Sequence, residues 1–148
     1  MNETPGDTLP TAFYFTVKFV EFENMDSSFQ EVSGLKVTSG LEERKEGGEN
    51  AFIHVLPGQP KYDDLVLKRC LMPNANLNKW CRNSINDFKI DPKNMQVSLL
   101  NGNGLTLASW NIVGAFPISW ELSSLNSTSN ELAIETLTLS YRYFKKEI

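Results

Sequence analysis

Three side chains in this sequence have the chemistry of a nucleophile and its base, namely His54, Cys70 and Cys81. A thiolate paired with a histidine is a common catalytic arrangement, but it is assembled in space, and the spacing of these residues does not favour it. The single histidine lies between Ile53 and Val55 in a predicted strand, and neither a GxSxG nor an HExxH motif is present. We therefore predict a structural or interface role for His54 and burial of both cysteines. A small Cys/His enzyme stays open as the less favoured alternative.

A second chemically rich stretch is a run of mixed charges and glycines. It comprises Glu42, Glu43, Arg44, Lys45, Glu46, Gly47, Gly48, Glu49 and Asn50. Its carboxylates could bind a hard cation, but two basic residues interrupt the alternating oxygen ligands of a calcium loop. Apolar-patterned segments flank the run, and paired glycines permit the positive φ of a tight reversal. The stretch from Val32 to Arg69 is therefore predicted to be a long projecting hairpin whose polar tip meets solvent or a partner.

The elements that must carry this hairpin follow from apolar periodicity. Strict alternation over Phe13–Phe19 predicts a strand with one apolar face, and Leu65–Arg69 predicts another. The one predicted helix begins near Asn74 or Asn76 and ends before Asp91. Its apolar stripe is Leu77, Trp80, Cys81, Ser84, Ile85 and Phe88. Such a stripe packs against a sheet.

The C-terminal part is predicted to be strand and turn throughout. The sequence Asn101–Gly104 predicts a hairpin turn, and a change of apolar phase predicts a bulge near Ala108 or Ser109. Because proline lacks a donor, Phe116–Leu122 is predicted to be an edge strand. The last strand, Glu131–Phe144, carries a polar face of Thr136, Thr138, Ser140 and Arg142. This face suits the wall of a hydrated channel, with the ordinary solvent side of a sandwich as the simpler alternative.

Length and composition bound the class of protein. A chain of 148 residues with 41% hydrophobic and 22% charged residues is typical of one globular domain, predicted at residues 12–148 after a leader at residues 1–11. A net charge of -4 argues against nonspecific binding to nucleic acid. The polar, acidic N-terminal stretch lacks the pattern of a signal peptide, and no apolar run reaches membrane length. We therefore expect folding in the cytosol without a membrane anchor, and no cofactor or metal.

Several segments, taken in order, resemble the contractile phage tail tube protein family. They are EVSGL (31–35), EERKEGGEN (42–50), FIHVLPG (52–58), KYDDLVLKR (61–69), WNIVGAFPISW (110–120) and SNELAIETLTLSY (129–141). Each segment alone is weak evidence, whereas their shared order along nearly the whole chain is specific. The helix region and the leader fall outside this resemblance.

The resemblance implies a mainly β subunit of two packed antiparallel sheets, a sandwich or barrel, with one flanking helix and the projecting hairpin. Subunits of this family form hexameric rings whose sheets join into one continuous barrel, and the rings stack inside a contractile sheath. Baseplate proteins, tube-cap proteins and cargo in the lumen are the implied partners, and no catalytic residues are implied. The hairpin at 42–50 would contact a neighbouring subunit or ring, and Thr136, Thr138, Ser140 and Arg142 would face the lumen.

On this resemblance the chain is expected to be an inner-tube subunit of a phage tail or of a phage-derived injection particle assembled in the bacterial cytoplasm. Two related roles stay open. One is a paralogue at the baseplate that initiates the tube. The other is a secreted ring-forming carrier of a type VI-like system.

Overall fold

A computed structural model describes residues 13–45, 53–70, 75–125, 128 and 133–147. The first strands are β1 (Phe13–Phe19), β2 (Ser27–Phe29), β3 (Glu31–Ser33), β4 (Val37–Thr38), β5 (Leu41–Lys45) and β6 (Ile53–Pro57). They are followed by β7 (Lys61–Tyr62), β8 (Leu65–Cys70), the helix α1 (Ala75–Ile85) and β9 (Lys93–Asn101). The last three are β10 (Thr106–Leu122), β11 (Ile134–Ser140) and β12 (Tyr143–Lys146). The described part of the chain contains no helix long and apolar enough to cross a membrane.

Most strands belong to one antiparallel sheet of eight strands rather than to two separate sheets. Its order is β2-β1-β9-β10-β11-β8-β3, and β12 pairs with β10 beside this path. The strand β10 joins the two parts, since its first half pairs with β9 and its second half pairs with β11. We call β12, the first half of β10, β9, β1 and β2 half-sheet A. The second half of β10 with β11, β8 and β3 is half-sheet B. The prediction of a mainly β fold with one helix is confirmed. The two predicted sheets, however, form one continuous sheet.

The two ends of this sheet meet. Strand β2 pairs with β1 and strand β3 pairs with β8, and only Gln30 separates β2 from β3. The amide of Gln30 donates to the carbonyl oxygen of Lys68 at 2.9 Å, so the segment passes directly from one end of the sheet to the other. The sheet therefore curls into a barrel, and its two halves enclose the core.

The core lies where the apolar faces of the strands converge. It contains side chains from both half-sheets and from the helix, among them Val17, Phe19, Phe29, Leu65, Leu67, Leu77, Trp80, Met95, Val97, Ile112, Leu137 and Leu139. Alternating burial along β8 and β11 matches the predicted period of two. The helix covers one end of the barrel, where the Trp80 ring packs edge-on against Phe19 at a centroid distance of 5.3 Å.

The predicted helical stripe is wrong at its C-terminal end. The helix stops at Ile85, and Phe88 is 85% exposed with a φ of 55°. The amides of Asn86 and Asp87 both bond to the Arg82 carbonyl, so the chain has left the helical path before residue 88. Because periodicity assumes continuing helix, it assigned Phe88 to a face that no longer exists there. Asn74 lies outside the described residues.

Bulges and breaks in the strands explain the other differences between the predicted and the observed strands. The first bulge in β10 lies between Thr106 and Ala108, one residue before the predicted place. Two further irregularities lie between Ile112 and Ala115 and between Pro117 and Ser119, and the latter shifts the phase of the predicted edge strand. The predicted single last strand is two, because it is interrupted after Ser140. Both pieces pair antiparallel with β10.

Candidate functional site

The predicted projecting hairpin is present as a two-part ladder. Strands β4 and β7 pair at its base, and β5 and β6 pair further out, in register from Leu41 opposite Pro57 to Lys45 opposite Ile53. Among the described residues, β5 and β6 have no strand partner except each other. Glu42, Glu43, Arg44 and Lys45 lie on β5. The predicted tip residues Glu46, Gly47, Gly48, Glu49 and Asn50 lie outside the described part of the chain.

An aromatic cluster fixes the base of the hairpin to the barrel. The ring of Tyr62 on β7 lies 5.9 Å from that of Tyr141 and 5.2 Å from that of Phe144. The Tyr141 hydroxyl donates to the Gly34 carbonyl at 3.4 Å, and burial, with Asp63 nearby, raises the pKa of Tyr141 to about 12. Gly34 has a φ of 90°, and any Cβ there would overlap a carbonyl oxygen. The hairpin therefore leaves the body at a fixed point.

The polar face predicted to line a channel lies on half-sheet B. Thr136, Thr138 and Ser140 are half-buried and alternate with the buried Leu137 and Leu139, so they point away from the core. Arg142 follows the break and is exposed, and its aliphatic stem lies beside Gly114. The three hydroxyl residues thus share one outer face, while Arg142 lies beyond the end of β11.

Half-sheet B has strand edges without a described partner at both of its ends. The side of Ile118–Leu122 turned away from β11 pairs with no described strand, as predicted for an edge. At the other end, β3 pairs only with β8 among the described residues. Ile118 and Trp120 are both more than 40% exposed beside this first edge. Unpaired N–H and C=O groups on such edges are templates for another chain.

A buried charge network lies on the core face of half-sheet B. The Arg69 Nε donates to a Glu135 carboxylate oxygen at 2.9 Å, and the Trp120 Nε1 donates to the other oxygen at 2.6 Å. Both charged side chains are only 5% exposed, and the Arg69 Nη2 has no hydrogen-bond partner within the described residues. Burial, with Glu135 nearby, raises the pKa of the Cys81 thiol to about 12. A thiol held in its neutral form is a poor nucleophile.

The residues that suggested catalysis lie on separate elements of the fold. Cys81 is buried as predicted, but Cys70 is only half-buried because it ends its strand, where Gln30 donates to its sulfur. In the ranges that the structure describes, no group of three or more His, Cys, Asp and Glu side chains could hold a metal ion. The backbone of His54 lies in β6 opposite Arg44, on the projecting hairpin. Neither cysteine lies on that hairpin.

Sequence reasoning missed two features of this surface. The first is the unpaired edge of β3, because edge status depends on the partners that a strand finds in space. The second is the buried pair of Arg69 and Glu135. The alternation of β11 places Glu135 on the same face as Leu137, and this charge at an apolar position was the available signal.

Comparisons with known proteins agree with these features. A protein-family model described as T4-like virus tail tube protein gp19 matches residues 11–145. A chain in the cryo-EM structure of the anti-feeding prophage baseplate is 28% identical, with a TM-score of 0.75, and the match covers 99% of this chain and 97% of that one. A chain in the sheath-tube complex of the extracellular contractile injection system PVC is also 28% identical, with a TM-score of 0.75 and coverage of 96% and 93%.

More distant structures share the fold. Hcp1 from Salmonella typhimurium is 14% identical, with a TM-score of 0.57 and coverage of 93% of this chain and 87% of that one. At this identity the likeness concerns the fold alone. No curated protein sequence matches the chain significantly.

Proposed function

Since the chain belongs to the T4-like virus tail tube protein family, we propose that its copies close into hexameric rings stacked inside a contractile sheath. This family is structural and has no enzymatic activity, and the chain is a tail tube protein of a contractile phage tail or an extracellular contractile injection system. The sheath shortens while the tube stays rigid and is driven into a target envelope. Cargo passes through the lumen. The sheath, baseplate and cap proteins named in the similar structures are the proposed partners.

The observation that supports ring closure is the number of strands in half-sheet B. Its four strands are all antiparallel, so the second half of β10 and β3, at opposite ends, run in opposite directions. When β3 of one copy lies beside β10 of the next, the antiparallel pattern continues without interruption. Half-sheet A has five strands, so its end strands β12 and β2 run in the same direction and would meet in parallel. An uninterrupted antiparallel barrel therefore favours half-sheet B as the wall.

In the proposed ring, the predicted lumen residues would line the wall. Thr136, Thr138 and Ser140 are on the outer face of half-sheet B, and in a closed ring that face turns toward the lumen. Ser119 and Glu121 lie opposite Thr138 and Thr136 in the ladder and share this face. A wall of hydroxyl and charged side chains is hydrated and does not grip an apolar cargo. Arg142 would stand at one end of the wall.

The hairpin is the proposed second contact between copies. It leaves the barrel directly after β3, the strand that faces the neighbour in the ring. Replacing Glu42, Glu43, Arg44 and Lys45 together with alanine is expected to reduce stacking while the protomer stays folded. Because exposed charge pairs are screened, the contribution of this contact should fall with added salt. Normal tubes from the fourfold variant would refute the role.

Negative-stain imaging of the purified protein tests the function. Long tubes or stacked rings are expected, whereas compact monomers at all concentrations would contradict it. Isolated rings that never stack would instead favour the secreted carrier.

Cysteine pairs test the ring contact itself. Ser119→Cys or Glu121→Cys combined with Glu31→Cys or Ser33→Cys, in a Cys70→Ser protein, should give a covalent ladder of subunits after oxidation. Cys81 stays because it is buried and poorly reactive. Ser119→Cys with Lys145→Cys is the matched control and should give no ladder. If rings are visible but none of the four cysteine pairs gives disulfide-linked subunits, these edges are excluded as the ring contact.

A further inference from the structure

Exposed apolar side chains are concentrated at the two opposite ends of strands β1 and β9. At the end of β1 and the start of β9 lie Val20, Phe22, Phe88 and Ile90, which are 56%, 40%, 85% and 55% exposed. We call these four residues the first end patch. At the start of β1 and the turn between β9 and β10 lie Phe13, Leu105 and Leu107, which are 48%, 64% and 41% exposed. These three residues form the second end patch.

The first end patch is held in place by specific contacts. The amide of Val20 donates to the Asn94 carbonyl at 3.0 Å, which ties the end of β1 to the start of β9. The buried Lys93 ammonium bonds to Asp91 at 3.0 Å and lies 3.3 Å from the centre of the Phe22 ring. A desolvated cation over an aromatic face is one of the stronger surface interactions. Phe22 is therefore a fixed apolar surface and not a loose side chain.

Phe88 combines a strained backbone conformation with a side chain that packs little within the protomer. Its φ of 55° is left-handed, at a position after a helix where glycine is the usual residue. A bulky residue is disfavoured in this region, and a side chain that is 85% exposed gains little from packing. Backbone strain at an exposed aromatic residue suggests a contact made outside the protomer.

The second end patch is also shaped by its turn. The Asn101 side-chain oxygen accepts the amides of Asn103 and Leu105 at 3.0 Å each, and Gly104 adopts a φ of 82°. This tight turn leaves Leu105 exposed. The bulge between Thr106 and Ala108 takes Leu107 out of the ladder register. Both leucines are thus presented to solvent by backbone features that normally accommodate polar residues.

We propose that the two end patches are the two sides of one contact between stacked rings, with a second copy of this chain as the occupant of each patch. The inference rests on the proposed function, since it concerns how proposed rings join. The patches differ in composition and lie at opposite ends of the same strands. A contact between two different surfaces of identical subunits is heterologous, and unless rotation closes it, it continues without limit. A tube requires such a contact along its axis.

The size of the patches fits ring stacking better than a dimer. With about 200 Å² for a fully exposed aromatic side chain and less for the others, the first end patch offers on the order of 400 Å². A stable pair of proteins needs about 800 Å² from each partner. One patch pair is therefore too small to hold two isolated protomers. Repetition in every copy of a ring makes the contact multivalent and strong.

The proposal is tested with variants blocked at one end only. Phe88→Asp blocks the first end patch, and Leu105→Asp with Leu107→Asp blocks the second. Each protein alone should form rings but no tubes. A mixture of the two preformed rings should give double rings and stop there, because one intact first patch meets one intact second patch. Leu125→Asp, at a residue that is 71% exposed in the loop after β10, is the matched control and should form normal tubes.

Two further measurements keep the test independent of folding. Phe88→Gly relieves the strained backbone, so its melting temperature should rise while the mean tube length falls by about tenfold or more, as expected when an aromatic anchor is lost. Wild-type tubes should also shorten on cooling, because apolar contacts weaken in the cold. Tubes of normal length from either blocked variant would overturn the proposal. Wild-type protein that never forms rings would instead overturn the proposed function.

Discussion

The buried pair of Arg69 and Glu135 provides the sharpest test of how the barrel is stabilised. The two residues face each other across β8 and β11, and Trp120 donates to the same carboxylate. The guanidinium carbon also lies 5.0 Å from the centre of the Phe29 ring. The pair thus connects β8 and β11 with β2 and β10. We predict that removing either charge alone is severe, whereas replacing both is tolerated.

The magnitude follows from desolvation. Glu135→Leu leaves a guanidinium that is 5% exposed without its counter-ion, and Arg69→Met leaves the carboxylate in the same position. Breaking a buried ion pair from one side costs about 3–5 kcal/mol. For a domain of this length, about 2–4 °C of melting temperature is lost per kcal/mol, so the midpoint should fall by roughly 10 °C. The double variant should recover most of this loss, because the unsatisfied Arg69 Nη2 also disappears.

Urea unfolding of the four proteins, followed by tryptophan fluorescence, measures the coupling between the two sites. The matched control is Glu31→Leu, which breaks the exposed pair between Glu31 on β3 and Lys68 on β8, the strand that also carries Arg69. That pair spans 3.8 Å and should be worth less than about 1 kcal/mol. The reasoning is refuted when the single variants at 69 and 135 lose no more stability than the control, or when the double variant loses the sum of both.

Three more outcomes are expected. Gly34→Ala should lower the free energy of unfolding in urea by about 2 kcal/mol or more, because the left-handed backbone and the overlap with the Asp64 carbonyl both penalise a Cβ. The matched control is Gly102→Ala, which should be nearly neutral because an added Cβ there would meet open space. Phe88→Gly should raise the free energy of unfolding by about 1 kcal/mol, and an unchanged value would mean that the φ of 55° carries no strain. Stability should fall as pH rises above about 9, since the unfolded chain loses the proton of Cys81 at its ordinary pKa of 9.0 while the folded thiol keeps its proton up to about 12. In Cys81→Ala this alkaline slope should be smaller in urea titrations, with the rest of the slope arising from Tyr141, whose pKa is raised from 10.0 to about 12.

The local elements followed largely from the sequence. The alternation of Leu65 and Leu67 with Val66 and Lys68 predicted β8 and its buried face, because a strand turns successive side chains to opposite sides whatever its partners are. Asn101 and the glycines after it predicted the turn, because its geometry is decided within a few residues. The projecting hairpin followed in the same way, since its outer strands pair with each other.

The sequence by itself thus determined which segments are strands, where they turn and that a mixed-charge hairpin extends from them. Only the tertiary structure decided that one sheet forms the barrel, that its two ends meet at Gln30 and that, among the described residues, β3 keeps an unpaired edge. It also decided that Phe88 leaves the core and that Arg69 finds Glu135. The physical reason is the separation along the chain over which each kind of interaction acts. Periodicity and turn chemistry act between residues close in the chain, whereas edges, closure and buried charge pairs depend on segments that meet only after the chain has folded.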